Sequence, residues 1–245
     1  MFRSRLTGNV ATNGTGAFAG QEFVAHDSLL DHNGLDFDQS FAEQGAVYVF
    51  DGQAVLVRSA VVDNIALGCA AVCVEGRGAI IDSTVARNQG NFILRFTEEG
   101  LVANSTIAVN RKGTAPVTDP ARCFGAILTP RLMLDSSIVA LNTCGNNYAL
   151  DIGALSPSTD TVVGTNNLVQ FSRARLPVGT LRVNPKLQAL RNNGGPTPTM
   201  ALLDGSPAIN RGSNPLGLNR DQRGDGFSRV AGTSTDIGAF EIQLP

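Results

Sequence analysis

The chain has 245 residues, a net charge of −2, 27 glycines, 12 Phe, two Tyr and no Trp. A charge this close to zero supplies no basic face for nucleic acid. The sequence has no uninterrupted apolar run of about 18 residues, so it predicts no membrane-spanning helix. Abundant glycine with few large aromatic side chains is typical of many short strands joined by tight turns, and the lack of Trp disfavours a dedicated carbohydrate-binding module.

A short phrase recurs six times in the first 142 residues: Ser, any residue, an aliphatic residue, two further residues and Asn. Its copies are Ser4–Asn9, Ser28–Asn33, Ser59–Asn64, Ser83–Asn88, Ser105–Asn110 and Ser137–Asn142. Successive Asn residues are 24, 31, 24, 22 and 32 positions apart. Units of this length cannot bury their apolar face alone and stack as a solenoid. Short apolar runs without helical periodicity predict an all-β fold, a right-handed parallel β-helix.

The alternation of side chains along a strand predicts which residues of each copy face the core. The aliphatic residue two positions after Ser should point inward, as should the residue two positions before Ser, which is His26 in the second copy. Asn should occupy the turn in a left-handed conformation and bond to the Asn of the next coil. The residues just before Ser predict an outward column of alternating charge formed by Arg3, Asp27, Arg58 and Asp82.

The four cysteines have spacings that allow two disulfides. Cys123 and Cys144 lie 21 residues apart, about one coil, and Cys69 and Cys73 would close a small loop. An even cysteine count with such spacings favours an exported protein. Four free buried thiols are the alternative, and the sequence leaves the pairing open.

The chain divides into two predicted regions. Residues 1–170 are expected to form the coils, and residues 171–245 an irregular cap. The repeat starts at Ser4, which leaves no room for a signal peptide and leaves the first coil uncovered. We therefore expect that further coils precede residue 1 or that an oligomer covers this end. Apolar side chains expected to cover the core of the last coil are Leu187, Leu190, Leu202, Leu203 and Ile209.

The second region carries a long motif string. It contains Asn193-Gly194-Gly195-Pro196-Thr197, then Gly205-Ser206-Pro207-Ala208-Ile209, then Asp221-Gln222-Arg223-Gly224, and ends with Asp236-Ile237-Gly238-Ala239-Phe240-Glu241. This combination resembles the C-terminal signature of the choice-of-anchor Q domain proteins, over about residues 160–241. The resemblance implies a bacterial, exported, surface-displayed β-helix of the pectate-lyase-like type, generally without an assigned reaction.

Two insertions lengthen the coils at residues 34–44 and 111–122, and both follow the turn Asn. They are expected to emerge on the same side of the stack and to wall a shallow groove. One wall would carry Asp36, Asp38 and Glu43, and the other Arg111, Lys112 and Arg122. Loops on a rigid scaffold often carry function, although an insertion of this length is also cheap to tolerate.

The residues that could carry chemistry cluster around the only two histidines, His26 and His32. His32, near a turn and next to Asp63 in the stack, is the better general base. The candidate catalytic residues are therefore Asp31, His32, Arg58 and Asp63, and the candidate metal ligands Asp27, Asp31 and Asp82. Polysaccharide lyases of the resembled fold hold Ca²⁺ with aspartates in a similar layout, which makes a divalent cation such as calcium the implied cofactor. Arg58, between Asp27 and Asp82, would neutralise such a site.

Two functions follow as hypotheses. The leading one is an extracellular or cell-surface β-helix used for display, adhesion or contact with extracellular polymers such as a polysaccharide. The competing one is an exported hydrolase or lyase that acts through the Asp/His residues on the outer face. No nucleophile elbow, phosphate loop or zinc-protease motif occurs in the sequence.

Overall fold

The computed structural model describes residues 1–11, 13–34, 41–113, 123–145 and 147–243. Over these residues the fold is all-β, with 21 strands and no helix. No segment of the described chain therefore qualifies as a membrane-spanning helix. Every pair of named strands is parallel except the last pair of the smallest sheet. This arrangement is consistent with a β-helix or solenoid.

One sheet, here called the short-strand sheet, takes one short strand from each coil. In spatial order its strands are β1 (Arg5–Thr7), β4 (Leu29–Asp31), β7 (Ala60–Val62), β9 (Thr84–Ala86), β13 (Thr106–Ala108), β17 (Ile138–Ala140) and β21 (Leu168–Val169). Arg5 pairs with Leu29, which pairs with Ala60, and this offset continues along the sheet. The predicted repeat register is therefore confirmed.

The second sheet, here called the bent sheet, contains the long strands. Its members are β2 (Asn13–Thr15), β3 (Phe18–His26), β5 (Phe41–Gln44), β6 (Val47–Val57), β8 (Cys69–Ile81), β11 (Phe92–Phe96), β12 (Glu99–Ala103), β15 (Ile127–Leu128), β16 (Arg131–Asp135) and β20 (Thr161–Val163). A small third sheet contains β10 (Gln89–Gly90), β14 (Arg111–Lys112), β18 (Thr143–Cys144) and β19 (Tyr148–Ala149).

The core lies between the sheets and is mostly aliphatic, with the rings of Phe23 and Phe96 buried in it. The residue two positions after each Ser is buried in the five copies from Ser28 onward, as predicted. The prediction that the residue two positions before Ser also points inward is wrong. In the second copy His26 is half-buried and Ala25 is fully buried, so His26 faces outward. The alternation of side chains does not continue from β3 into β4, because Asp27 in the turn between them has a left-handed backbone and is not extended.

The left-handed residues of the turns are not the Asn residues. The backbone has a positive φ one position earlier, at His32 (55°) and Arg87 (59°) among others. The residue before Ser is also left-handed, as at Asp27 (50°) and Arg58 (46°). The six short strands from β1 to β17 are therefore each bounded by two left-handed residues, and Ser and Asn direct their polar side chains into the stack.

The Asn residues form the predicted ladder. Each Asn from Asn9 to Asn110 donates its side-chain N–H to the Oδ1 of the next, at 2.8–3.0 Å. The same Oδ1 also accepts the backbone N–H of the preceding Asn, for example Asn64 N to Asn88 Oδ1 at 3.0 Å. Serine forms a second ladder, in which the backbone N–H of each Ser donates to the Oγ of the next, as in Ser59 N to Ser83 Oγ at 3.0 Å.

Different residues end the two ladders. The serine ladder ends where Ser137 donates its backbone N–H to Asn167 Oδ1 at 3.0 Å. The asparagine ladder ends at Asp151, whose Oδ1 accepts the side-chain and backbone N–H of Asn142 at 2.9 and 3.1 Å. Asp151 is fully buried, and burial raises its pKa to about 6 although these hydrogen bonds oppose the shift.

This raised pKa predicts the sign of a pH effect on stability. Between the unfolded value of 3.8 and the folded value of about 6, the native protein binds more protons at Asp151 than the unfolded chain does. The contribution of Asp151 to the free energy of unfolding should therefore fall by roughly 2–3 kcal/mol as the pH rises through this window. Denaturant unfolding from pH 4 to 6.5, on wild type and Asp151→Asn, measures it. An unchanged slope in the variant would contradict the assignment.

Small inward residues under the bent sheet make room for one aromatic ring. Gly78 and Gly100 pair across β8 and β12, and the buried ring of Phe96 lies against both. A Cβ at Gly78 would overlap this ring. We expect Gly78→Ala to lower the free energy of unfolding by about 1–3 kcal/mol. Chemical denaturation checks this, and adding Phe96→Leu should relieve part of the loss; equal stability of wild type and Gly78→Ala would refute the packing argument.

The C-terminal segment covers both an end and a flank of the coils. Ala174 and Leu176 pack on the main core, and Leu181 pairs with Leu168 of the last strand. Beyond this point the chain runs over the outer face of the short-strand sheet. Of the residues expected to cover the last coil, Leu187, Leu202 and Ile209 pack in one cluster with Leu168 of its strand β21. The expectation is wrong for Leu190, which packs with alanines of β7, β9 and β13, as Leu187 also does. The outward residues there are small and apolar, so that face also had to be covered.

The cysteines pair as Cys69–Cys73 and Cys123–Cys144. The alternative of free thiols is therefore wrong for this chain. Most of the two insertions, residues 35–40 and 114–122, lies outside the described residues. Most of the groove predicted between them lies outside the described part of the chain as well. Of its predicted wall residues, Arg111 is exposed, whereas Lys112 is buried over the ring of Phe124, so its placement on a groove wall is wrong.

Candidate functional site

The long strands of the bent sheet change direction at glycines. The register between β6 and β8 shifts between Val49 and Gly52, and that between β3 and β6 shifts between Gly20 and Glu22. A Cβ at Gly52 would overlap the carbonyl oxygen of Gln21, and one at Gly76 would overlap that of Gly52. Only glycine allows the strands to approach this closely, so the bend is built into the sequence.

Acidic side chains surround this bend, in a concavity of about 480 Å³. We call Glu22, Asp51, Glu75 and Glu98 the acidic corner; all four are exposed and line this space. Tyr48 donates its hydroxyl to Glu75 Oε1 at 2.5 Å. The carboxylates therefore face solvent from neighbouring coils.

A polar row runs beside the acidic corner. Glu22, Gln53, Arg77 and Glu99 are paired across neighbouring strands. Gln53 donates to Glu22 Oε1 at 3.0 Å, and the Arg77 guanidinium lies 3.2 Å from Glu98 and 3.9 Å from Glu99. These exposed contacts are worth little for stability. The row offers both hydrogen-bond donors and acceptors at the surface.

An apolar row lies two residues further along the same strands. We call Val55, Ala79, Leu101 and Met133 the apolar shelf; they are paired across β6, β8, β12 and β16. They line a second concavity of about 280 Å³, and Met133 is 47% exposed. Gln53 and Arg77 line both concavities, so the two form one outer groove.

The sequence-predicted residues lie elsewhere, at the turns. Asp31 is almost fully buried, and Arg5 binds both of its oxygens at 2.9 and 2.6 Å. His32 Nδ1 lies 2.9 Å from Asp31 Oδ2, and the His32 side chain is 65% exposed. Burial raises the pKa of Asp31, but hydrogen bonds from Arg5, His32 and Thr7 outweigh it and hold the pKa below its usual value. The structure thus forms an Asp–His pair that Arg5 already neutralises.

Arg58 and Asp63 do not join that pair. Arg58 makes a two-pronged contact with Asp27, at 2.7 and 3.1 Å. Asp63 binds Arg87, not His32. The predicted charge column is therefore only partly formed, because Arg3 contacts Asp225 of the C-terminal segment.

Asp82 was expected on the outer surface, and this expectation is wrong. It is fully buried beneath the C-terminal segment, where Arg229 donates to its Oδ1 at 3.1 Å. Burial raises the pKa of Asp82, with Arg229 opposing the shift. The residue that covers it lies 147 positions away in the sequence, so no local pattern reports it.

The predicted metal ligands do not suit a cation. Asp27, Asp31 and Asp82 are each bound to a different arginine. Within the described ranges, no three Asp, Glu, His or Cys side chains converge in a way that would hold a metal. A calcium site built from these three residues does not fit their charge environment.

Sequence reasoning missed the outer groove. Its signal was the acidic–glycine pair at Asp51-Gly52 and Glu75-Gly76, which are 24 residues apart, the same offset as Ser59 and Ser83. In comparisons with known proteins, no family model, curated protein or solved structure matches this chain.

Proposed function

We propose that this chain is a right-handed parallel β-helix, exported to the cell surface or beyond, that contacts extracellular polymers through its outer groove. Right-handed crossovers between parallel strands are the near-universal rule, which supports the handedness. Two disulfides are typical of oxidising compartments, which supports export. The motif string in residues 193–241 supports membership of the choice-of-anchor Q domain family.

The observation that carries the binding proposal is the continuity of the outer groove. Its polar row and apolar shelf cross adjacent strands of one rigid sheet. A surface of this form suits an extended polymer, because each coil repeats a similar set of contacts about 4.8 Å from the last. The shelf, with Met133 exposed and Val55, Ala79 and Leu101 half-buried, is the kind of apolar surface that marks an interaction site.

Retention on immobilised polymers tests this proposal. The panel contains neutral, acidic and amine-bearing polysaccharides and an unfolded polypeptide. We expect Arg77→Glu and Met133→Asp to lower retention on the bound polymer by about tenfold, a change of about 1.4 kcal/mol. The exposed Arg191→Glu serves as the charge-matched control outside the groove. Equal retention of all variants, with unchanged melting temperatures, would reject the groove as the contact surface.

A second candidate function, hydrolysis or lyase chemistry, is supported by the contact between Asp31 and exposed His32. An imidazole held in one orientation by a carboxylate is suited to act as a general base. A panel of ester, phosphoester, glycoside and uronide substrates tests it. Turnover that survives His32→Ala combined with Asp31→Asn would exclude this site.

A further inference from the structure

The outer groove has two parallel rows, the polar row and the apolar shelf, with the acidic corner along one side. These three surfaces differ in chemistry, and together they define a ligand. The acidic corner, the polar row and the apolar shelf follow one another along the strands, as Glu75, Arg77 and Ala79 do on β8. The polar row and the apolar shelf are two residues apart along the strands, about 6.6 Å. The rows themselves run across the strands, from coil to coil.

We propose that the outer groove binds an extended polypeptide in which aliphatic and basic side chains alternate. This inference rests on the proposed function and names the polymer that the groove takes. The peptide would lie along the polar row and across the strands. Side chains of an extended chain point alternately to opposite sides, so one set would reach the acidic corner and the other the apolar shelf.

Charge complementarity selects basic side chains for the first set. Four exposed carboxylates line the corner, and among the described residues Arg77 is the only basic one that lines it. Arg77 is already in contact with Glu98 and Glu99. Lysine or arginine side chains would reduce the repulsion among these carboxylates, while acidic ligands would increase it.

The composition of the shelf selects aliphatic side chains for the second set. Its members are Val, Ala, Leu and Met, and no aromatic side chain is among the lining residues that the structure describes. Sugar recognition depends on hydrogen bonds and on flat aromatic surfaces, and these four side chains offer no such surface. Leucine or valine side chains would instead bury apolar area against it.

The polar row suits the peptide backbone. Gln53 has both a donor and an acceptor on its amide, Arg77 donates, and Glu99 accepts. These side chains stand at the surface in the row between the other two. Main-chain N–H and C=O groups of an extended ligand therefore find partners of both kinds without dependence on sequence.

Fluorescence anisotropy with labelled peptides of about ten residues tests the proposal on the full chain. We expect a peptide of alternating Leu and Lys to bind at least about ten times more tightly than either of two comparison peptides. One comparison peptide alternates Leu and Glu, and the other alternates Ser and Lys. Added salt should weaken the Leu/Lys complex, since part of the attraction is screened within about 8–10 Å. Equal binding of Leu/Lys and Ser/Lys peptides would overturn the role of the shelf.

Variants localise the binding. Glu75→Lys and Leu101→Asp should each weaken the Leu/Lys peptide about tenfold, while Asp204→Lys, an exposed acid outside the groove, should not. The melting temperature of each variant must match that of wild type. If Glu75→Lys melts lower, Glu75→Gln, which removes the charge without reversing it, takes its place. Binding of a chitosan oligomer in place of the peptide, lost in the same variants, would overturn this inference and keep the proposed function. If the groove variants weaken the binding of none of the polymers tested, both this inference and the proposed function are overturned.

Discussion

Replacing Asn88 by Ala is expected to lower the free energy of unfolding by about 2–4 kcal/mol. Asn88 is fully buried; its side-chain N–H groups donate to Asn110 Oδ1 and to Val61 O, and its Oδ1 accepts the backbone N–H of Asn64. The variant leaves that N–H of Asn64 buried without its partner, at about 1–3 kcal/mol, and removes further hydrogen bonds worth about 1 kcal/mol each. Equilibrium denaturation measures the change.

Two controls separate the ladder from general effects of the substitution. Asn9→Ala makes the same change at the first rung of the described ladder, where the residue is only half-buried, and should reduce stability by about 0.5–1.5 kcal/mol. Arg87 is next to Asn88 in the sequence and forms a half-exposed ion pair with Asp63. Arg87→Ala removes this ion pair, which is worth about 0–1 kcal/mol. Three equal losses would show that the asparagine amides do not form a connected ladder.

The ladder and the repeat register were predictable because they obey a local rule. An inward polar side chain such as Asn64 or Ser59 must find a partner in every coil, and the nearest partner is its own copy. The one-coil spacing of Cys123 and Cys144 allowed their disulfide for the same reason. The predicted inward orientation of His26 is wrong because one left-handed residue, Asp27, separates His26 from Ser28. This residue interrupts the alternation of inward and outward side chains.

The outer groove and the burial of Asp82 depend on contacts that the repeat does not contain. The groove forms where Gly52 and Gly76 allow the long strands to bend, and a sequence alone shows the glycines but not the direction of the bend. Asp82 looked like its neighbours in the charge column, Asp27 and Arg58. It differs because the C-terminal segment crosses the stack at that coil and brings Arg229 over it.

Arg229 links the C-terminal segment to the coils through a fully buried set of contacts. Its guanidinium donates to Asp82 Oδ1 and Glu241 Oε2, at 3.1 and 3.0 Å. It also donates to the carbonyl oxygens of Gly238 and Asp236, each at 3.0 Å. Glu241 has other donors, the backbone N–H groups of Asp236 and Ala231. Asp82 therefore depends most on this arginine.

Arg229→Met should consequently lower the free energy of unfolding by about 3–5 kcal/mol, because it leaves the Asp82 carboxyl buried without its cation. Adding Asp82→Asn, which keeps a side chain that tolerates the left-handed backbone at this position (φ 49°), should recover part of the loss. Burial already raises the pKa of Asp82 to about 8 in the wild type, and without Arg229 the folded pKa lies higher still. Both proteins should therefore gain stability as the pH falls, and the gain should be larger in the Arg229→Met variant. Limited proteolysis beside denaturation reports whether residues 182–243 loosen first. A double variant no more stable than Arg229→Met, with the same pH dependence in Arg229→Met and wild type, would show that the buried ion pair does not attach the segment.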